Sequence, residues 1–234
     1  MLDVNKKIIT KKTYKPDNKD LESLTKIIKE TGRTTILEFG VGYSTLAFQK
    51  ALKYNQKFYG SLSRYRRNNP YETHSVDTSK KYISITKKRI KDLTKTFFTH
   101  TKCKMTIFNS RICHEYEKLP LINPDFIYLD GPHQFMVQGE INGISTRHID
   151  MPPMSCDILK IESFLTPKTI IVVDGRAANA RFLKSNLLRK WSYKYCKNRD
   201  QHFFLLDEEP FGKYSLSIIN EIYYKKKKFN IQDL

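Results

Sequence analysis

The stretch TTILEFGVGYSTLAFQKAL, residues 34 to 52, decides how this chain is read. An apolar, β-branched run breaks into Glu38-Phe39-Gly40-Val41-Gly42-Tyr43-Ser44-Thr45, and apolar residues then resume at helical spacing. The implied order is strand, glycine turn, helix. Two glycines one residue apart let a backbone pass close to a ligand, because no Cβ stands in the way. Glu38, two residues ahead of Gly40, suggests that the ligand is polar.

Upstream, residues 1–18 are polar and lysine-rich and read as an arm. A helix follows over 20–32, with Leu21, Leu24, Ile27 and Ile28 on one face and Gly32 as its stop. Downstream, residues 72–79 read as a second strand, 80–97 as a basic amphipathic helix, and 102–108 as a third strand. A short helix is expected over 111–120, a fourth strand over 124–131, and a loop over 131–153. Then come a helix (154–165), a fifth strand (168–175) and a helix (177–191). Residues 202–209 and 214–224 are expected to close the chain as an antiparallel pair around Pro210-Phe211-Gly212. Nearly all-apolar strands alternating with helices imply an α/β fold: a Rossmann-like, doubly wound, mostly parallel sheet with an antiparallel C-terminal strand pair. No internal repeat or Ser/Gly linker divides it, so residues 19–234 read as a single domain.

With 234 residues and 39% hydrophobic content, the chain can form one sizeable core. No apolar run approaches the roughly 18 residues needed to span a bilayer. The four cysteines (Cys103, Cys113, Cys156, Cys196) form no CxxC pair, which points to a reducing, cytoplasmic setting rather than a disulfide framework. Lys and Arg number 42 against 24 Asp and Glu, a formal charge of +18. Such a field attracts polyanions, but lysines in nearly every segment favour a lysine-rich composition with solvated lysines throughout over a dedicated nucleic-acid surface.

In sheets of this kind ligands bind beyond the carboxyl ends of the strands. Those ends carry Glu38 with its glycines, Asp77, Asn109-Ser110, Asp130-Gly131-Pro132-His133 and Asp174-Gly175-Arg176. Carboxylates buried without partners cost several kcal/mol, so a purely structural edge would rarely collect so many. A dinucleotide fingerprint, GxGxxG, fails at Thr45, and Asp77 lies too far on for its ribose-binding acid.

An acid-x-Gly-x-Gly turn, Asp77 ending strand two, and DFIYLDGPH (residues 125–133) together resemble the class I S-adenosylmethionine-dependent methyltransferases. Within them the chain is similar to the O-methyltransferase-like branch whose fourth strand ends in Asp-Gly-x-His. The resemblance covers about residues 33 to 207. It implies S-adenosyl-L-methionine as cofactor, approached by Gly40, Gly42, Ser44 and Thr45, with Glu38 at the ammonium and Asp77 on the ribose hydroxyls. It places Asn109 and Ser110 by the adenine, where this chain lacks the acid many members carry, and Asp130 beside the cofactor.

For methyl transfer to a hydroxyl, His133 is the natural general base, with Asp130 orienting it. Alternatively Asp130, Asp157 and Asp174 gather around a divalent metal. Arg176 and Arg181 are placed to face an anionic substrate, and the loop GSLSRYRRNNPYE offers Arg64, Arg66 and Arg67 to a phosphate, a base or a sugar. The remaining histidines show no ligand spacing. The expected function is O-methylation of a small hydroxylated acceptor such as a sugar or nucleotide-sugar. Its rivals are an RNA methyltransferase using the basic surface and a non-catalytic binding protein that keeps the fold.

Overall fold

The computed structural model describes residues 17–62, 65, 67–225 and 230–233. Most of the expected arm, together with Arg64, Arg66 and most of the lysine run near residue 226, lies outside the described residues.

The chain runs α1 (Asn18–Glu30), β1 (Thr35–Phe39), α2 (Tyr43–Tyr59), β2 (Glu72–Asp77), α3 (Lys80–Arg89), β3 (Thr96–His100), β4 (Cys103–Phe108) and β5 (Arg111–Tyr116). It continues with β6 (Phe126–Leu129), β7 (Val137–Gln138), α4 (Asp157–Ile161), β8 (Ile170–Asp174), α5 (Ala177–Asn186), β9 (Trp191–Cys196), β10 (Gln201–Leu206) and α6 (Gly212–Ile218). Seven strands form one sheet in the order β3-β2-β1-β6-β8-β10-β9. The five strands from β3 to β8 are parallel, and β10 runs antiparallel to both β8 and β9. The mostly parallel α/β sheet with an antiparallel pair is the architecture expected from the sequence.

Both faces of the central strands are covered, which is why they read as continuous apolar runs. Ile36, Phe126, Ile170 and Phe203 point to one face, where they meet Leu24 and Ile28 of α1, Phe48 and Leu52 of α2, and the C-terminal helical segment. Their neighbours Leu37, Ile127, Ile171 and Phe204 point to the other, against Ile158 of α4, Leu183 of α5 and Cys103, Cys113 and Tyr116 of the smaller sheet.

Four expectations need correction. The helix over 80–97 stops at Arg89; Asp92 then caps a turn by accepting from the Thr94 amide, and Thr96–His100 becomes the third strand of the main sheet. Its β-branched and aromatic content suits an edge strand better than a helix. Residues 102–108 are therefore not in the main sheet: β4 pairs with β5 and β7 in a separate sheet of three strands. RICHEY is strand rather than helix, because Asn109 and Ser110 both take positive φ (48° and 62°) and fold β4 and β5 into a tight hairpin. Finally, β10 pairs with β9, not with 214–224, which is helical: Ile218, Ile219, Ile222 and Tyr223 are buried at helical spacing.

At the amino ends of the strands a buried polar knot closes the sheet. Asp125, fully buried, accepts from the Thr34 and Thr35 amides and from Tyr223 Oη, and pairs with Arg67 at 2.9 Å. The carboxyl ends are open.

Candidate functional site

The sheet order reverses between β1 and β6, and a crevice at such a switch point is where an open α/β sheet holds ligands. A cleft of ≈ 550 Å³ lies there. Gly40 and Gly42 line its floor, and the wall beyond β6 is the loop Asp130–His133. The two turns touch backbone to backbone: a Cβ on Gly131 would fall 2.7 Å from the Gly40 nitrogen. Gly40 itself sits at φ +95°, which L side chains rarely adopt. Gly42 is different, since a Cβ there would meet nothing within 4 Å. Its missing side chain leaves room in the cleft.

Glu38 is fully buried beneath the turn and does not reach the cleft surface. It accepts hydrogen bonds from the hydroxyls of Ser44, Thr45 (2.6 Å) and Ser75. Desolvation pushes its carboxyl up to about 7 although these three donors oppose the shift. Glu38 therefore braces the glycine turn from below and is not itself part of the cleft lining. Thr45 is likewise fully buried, and of that trio Ser44 lines the cleft.

Asp77 lies at the cleft edge, 8% exposed. One oxygen accepts from the Val41 amide at 2.8 Å and the other from the Ser79 amide at 2.6 Å. An ionised carboxylate has about four acceptor sites, so Asp77 can accept further hydrogen bonds from a ligand. Burial raises its pKa while these amides oppose the rise.

Asp130 opens onto the cleft, yet desolvation still pushes its carboxyl up to about 6, with Arg176 opposing and Asp174 adding to the rise. Arg176 binds Asp130 Oδ1 through Nε at 3.3 Å and the Pro132 carbonyl through Nη1 at 3.1 Å, clamping the loop that carries His133. His133 is exposed on the cleft wall, and burial together with Arg176 lowers its pKa, so its imidazole is neutral near pH 7. Asp174 is held by Gln201 Nε2 at 3.0 Å and by the Tyr128 hydroxyl.

The other expected site residues lie elsewhere. Asn109 and Ser110 form the β4–β5 hairpin turn and do not line the cleft. Asp157 is buried, accepting from the Tyr116 amide and Ser155 Oγ (2.8 Å), and does not line the cleft with Asp130 and Asp174. Among the described residues no three His, Cys, Asp or Glu side chains cluster to hold a metal. Arg67 is buried in the Asp125 knot and cannot meet a substrate.

The cleft also contains residues the sequence reading missed. Asp17 and Asp20 enter from the start of α1, and burial, Asp174 and Asp17 raise the Asp20 pKa. Tyr82 and Arg89 enter from α3, and the Arg89 guanidinium lies 4.2 Å from the Tyr43 ring centroid. Asp17 caps α1 by accepting from the Lys19 amide, and the docking of α1 against α2 brings it to the cleft.

No protein-family model and no curated protein matches this chain. Among solved structures it is similar to the O-methyltransferase from Bacillus cereus in complex with SAH, at 13% identity over 84% of each chain and a TM-score of 0.48. It is also similar to the SAH-bound Podospora anserina methyltransferase PaMTH1 (13% identity, 83% of this chain, 80% of that one, TM-score 0.49). A third is the N-methyltransferase NodS from Bradyrhizobium japonicum WM9 in complex with S-adenosyl-L-homocysteine (11% identity, 82% and 90%, TM-score 0.43). At such identities and TM-scores, what those proteins bind or methylate says nothing of this chain's own acceptor. No helix of the described residues is long and apolar enough to cross a membrane.

Proposed function

We propose that this protein is an S-adenosylmethionine-dependent methyltransferase acting on oxygen, with a small, uncharged hydroxylated acceptor such as a sugar. The observation that carries the reading is the open floor at Gly42 flanked by Asp77: room for a ligand and a carboxylate at its edge, at the sheet's switch point. Asp77 would accept the ribose hydroxyls, and Gly40, Gly42 and Ser44 would let the nucleoside lie against the turn. When bound, the cofactor supplies an electrophilic methyl group on a sulfonium.

The chain's own residues do the rest. His133, neutral at pH 7, takes the proton of the attacking hydroxyl, and Arg176 fixes the loop that presents it. Asp17, Asp20, Asp130 and Asp174 make the cleft acidic within a basic protein. Carboxylates accept from hydroxyls and repel phosphates, so a neutral polyol fits this wall better than an anionic acceptor. Arg176, already bound to Asp130 and Pro132, is spent on the loop rather than on a substrate anion.

The test is a thermal melt with S-adenosylhomocysteine, followed by metabolite screening with methyl-labelled cofactor. A stabilised protein and label on a hydroxylated product are expected. No stabilisation at saturating ligand overturns the reading.

A further inference from the structure

The cleft crosses the strand ends in the sheet order β8, β6, β1, β2, and its two sides differ in chemistry. Asp174 ends β8, Asp130 follows β6, and Asp17 and Asp20 join them from the start of α1, so that side is acidic. Beyond Asp77, at the end of β2, the lining passes to Thr78, Ser79 and α3, whose sequence KKYISITKKR contains no acid. Tyr82, Ile85, Thr86 and Arg89 recur at i, i+3, i+4 and i+7, so one face of α3 forms this wall over ~10 Å. Arg89 bounds the wall, its guanidinium 4.2 Å from the Tyr43 ring centroid. Tyr82 stands close to Asp77. The Ser79 amide donates to the Asp77 carboxylate at 2.6 Å, and Ser79 Oγ accepts from the Tyr82 amide at 3.3 Å. The Tyr82 ring is 36% exposed, and among the described residues no other ring and no cation covers it.

We infer that α3 forms the nucleobase compartment of the cleft, with the Tyr82 ring as its stacking platform, and that it holds a purine by its face rather than its edge. The inference rests on the reading of the cleft as a methyl-donor site. With the ribose on Asp77 and the methyl group directed at His133 beyond β6, the base leaves Asp77 on the opposite side, toward α3. That side offers Tyr82, Ile85 and Tyr43, whereas the other is taken up by carboxylates. The β4–β5 hairpin, where the adenine was expected, does not line the cleft. The polar groups on the α3 side are the hydroxyls of Thr78, Ser79, Tyr82 and Thr86, with Arg89 at the far end. A hydroxyl donates as readily as it accepts, so it does not tell a base amine from a carbonyl. Stacking on an aromatic ring is equally tolerant, because every base has a π-face. The compartment therefore binds the base without reading which purine it is.

The experiment is isothermal titration calorimetry with S-adenosylhomocysteine and with S-inosylhomocysteine, which carries a carbonyl in place of the adenine amine. The parent should bind the two within about 3-fold of each other. Tyr82→Ala should weaken both by at least about 10-fold, and Tyr82→Phe, which keeps the ring, should stay within about 2-fold of the parent. Tyr82→Trp adds a reporter: a stacked base should quench its fluorescence, while the native Trp191 lies in β9 at the opposite edge of the sheet. Tyr82 lies outside the core, so the unliganded variants should melt with the parent. Unchanged binding by Tyr82→Ala, or an unquenched indole in Tyr82→Trp, overturns the inference and leaves the cofactor reading standing. Equal losses in Tyr82→Phe and Tyr82→Ala would assign the effect to the hydroxyl and overturn it too. So would an inosyl ligand bound more than about 100-fold more weakly, since a site that reads the amine rejects its replacement strongly. No binding of either ligand by the parent overturns the cofactor reading and the inference together.

Discussion

A Cβ added to Gly131 would lie 2.8 Å from the Gly40 Cα, so the turn after β1 and the loop after β6 meet as bare backbone. Gly42, two residues further along, has open space around it. These neighbours therefore fail differently. Gly131→Ala should lower the melting temperature by several degrees, because backbone must shift to admit the methyl. Gly42→Leu should leave the fold nearly unchanged, as its φ of −166° suits any residue, while abolishing ligand stabilisation. Melts of both variants, with and without S-adenosylhomocysteine, check the pair; retained stabilisation in Gly42→Leu would place the ligand elsewhere.

Asp77 has two tasks, holding the Val41 and Ser79 amides and offering acceptors to the cleft. In the parent, S-adenosylhomocysteine at about 100 times its Kd should stabilise the fold by ~2.7 kcal/mol. Asp77→Ala should lose most of that shift and also some intrinsic stability, whereas Asp77→Asn keeps an acceptor and should retain more of each. Denaturant titrations with and without ligand separate the two losses.

Glu38 titrates with folding. Its folded pKa of about 7 lies above the ordinary 4.5, so the native state binds this proton more tightly than the unfolded chain. Its contribution is full below about pH 4.5 and is lost as pH rises through about 7, a decline of roughly 3 kcal/mol. Glu38→Gln should flatten that part of the stability profile. A profile of the variant parallel to the parent's across this window would show that Glu38 is not the group.

The Arg67–Asp125 pair is fully enclosed, and truncating one partner leaves a buried charge. Arg67→Ala should cost about 3 kcal/mol in urea unfolding, and S-adenosylhomocysteine affinity should not change. The loss falls at the low end of the range for such pairs, because the Thr34 and Thr35 amides and Tyr223 still serve Asp125.

With an acceptor in hand, His133 becomes testable. Turnover should rise with pH through a midpoint below the ordinary imidazole pKa of 6.5, since burial and Arg176 lower it, and then level off. His133→Ala should slow the chemical step by about 10²- to 10⁴-fold without weakening the cofactor. If a divalent ion held by Asp130 and Asp174 activates the hydroxyl instead, a chelator should remove activity, and Asp130→Asn and Asp174→Asn should each be as damaging. Full activity in the His133 variant and no chelator effect would leave positioning alone.

The sequence by itself determined the order of the central strands' residues, their burial on both faces, the glycine turn after β1, and the acids at the strand ends. Those features are written in local pattern: apolar runs that alternate faces, and a pair of glycines between a strand and a helix. Tertiary structure decided what each acid does. Glu38 and Asp77 look alike in the sequence; the sheet buries one beneath three hydroxyls and leaves the other at the cleft edge. Arg67 reads like a surface arginine until the fold encloses it against Asp125. RICHEY became strand because the Asn109-Ser110 turn paired it with β4, and 214–224 became helix because its apolar residues met α1 and α2 on one face. Asp17 and Asp20 reach the cleft only because α1 docks on α2. Local pattern is set by neighbours along the chain, whereas burial, partners and charge environment depend on residues tens of positions away, and only the packed sheet brings those together.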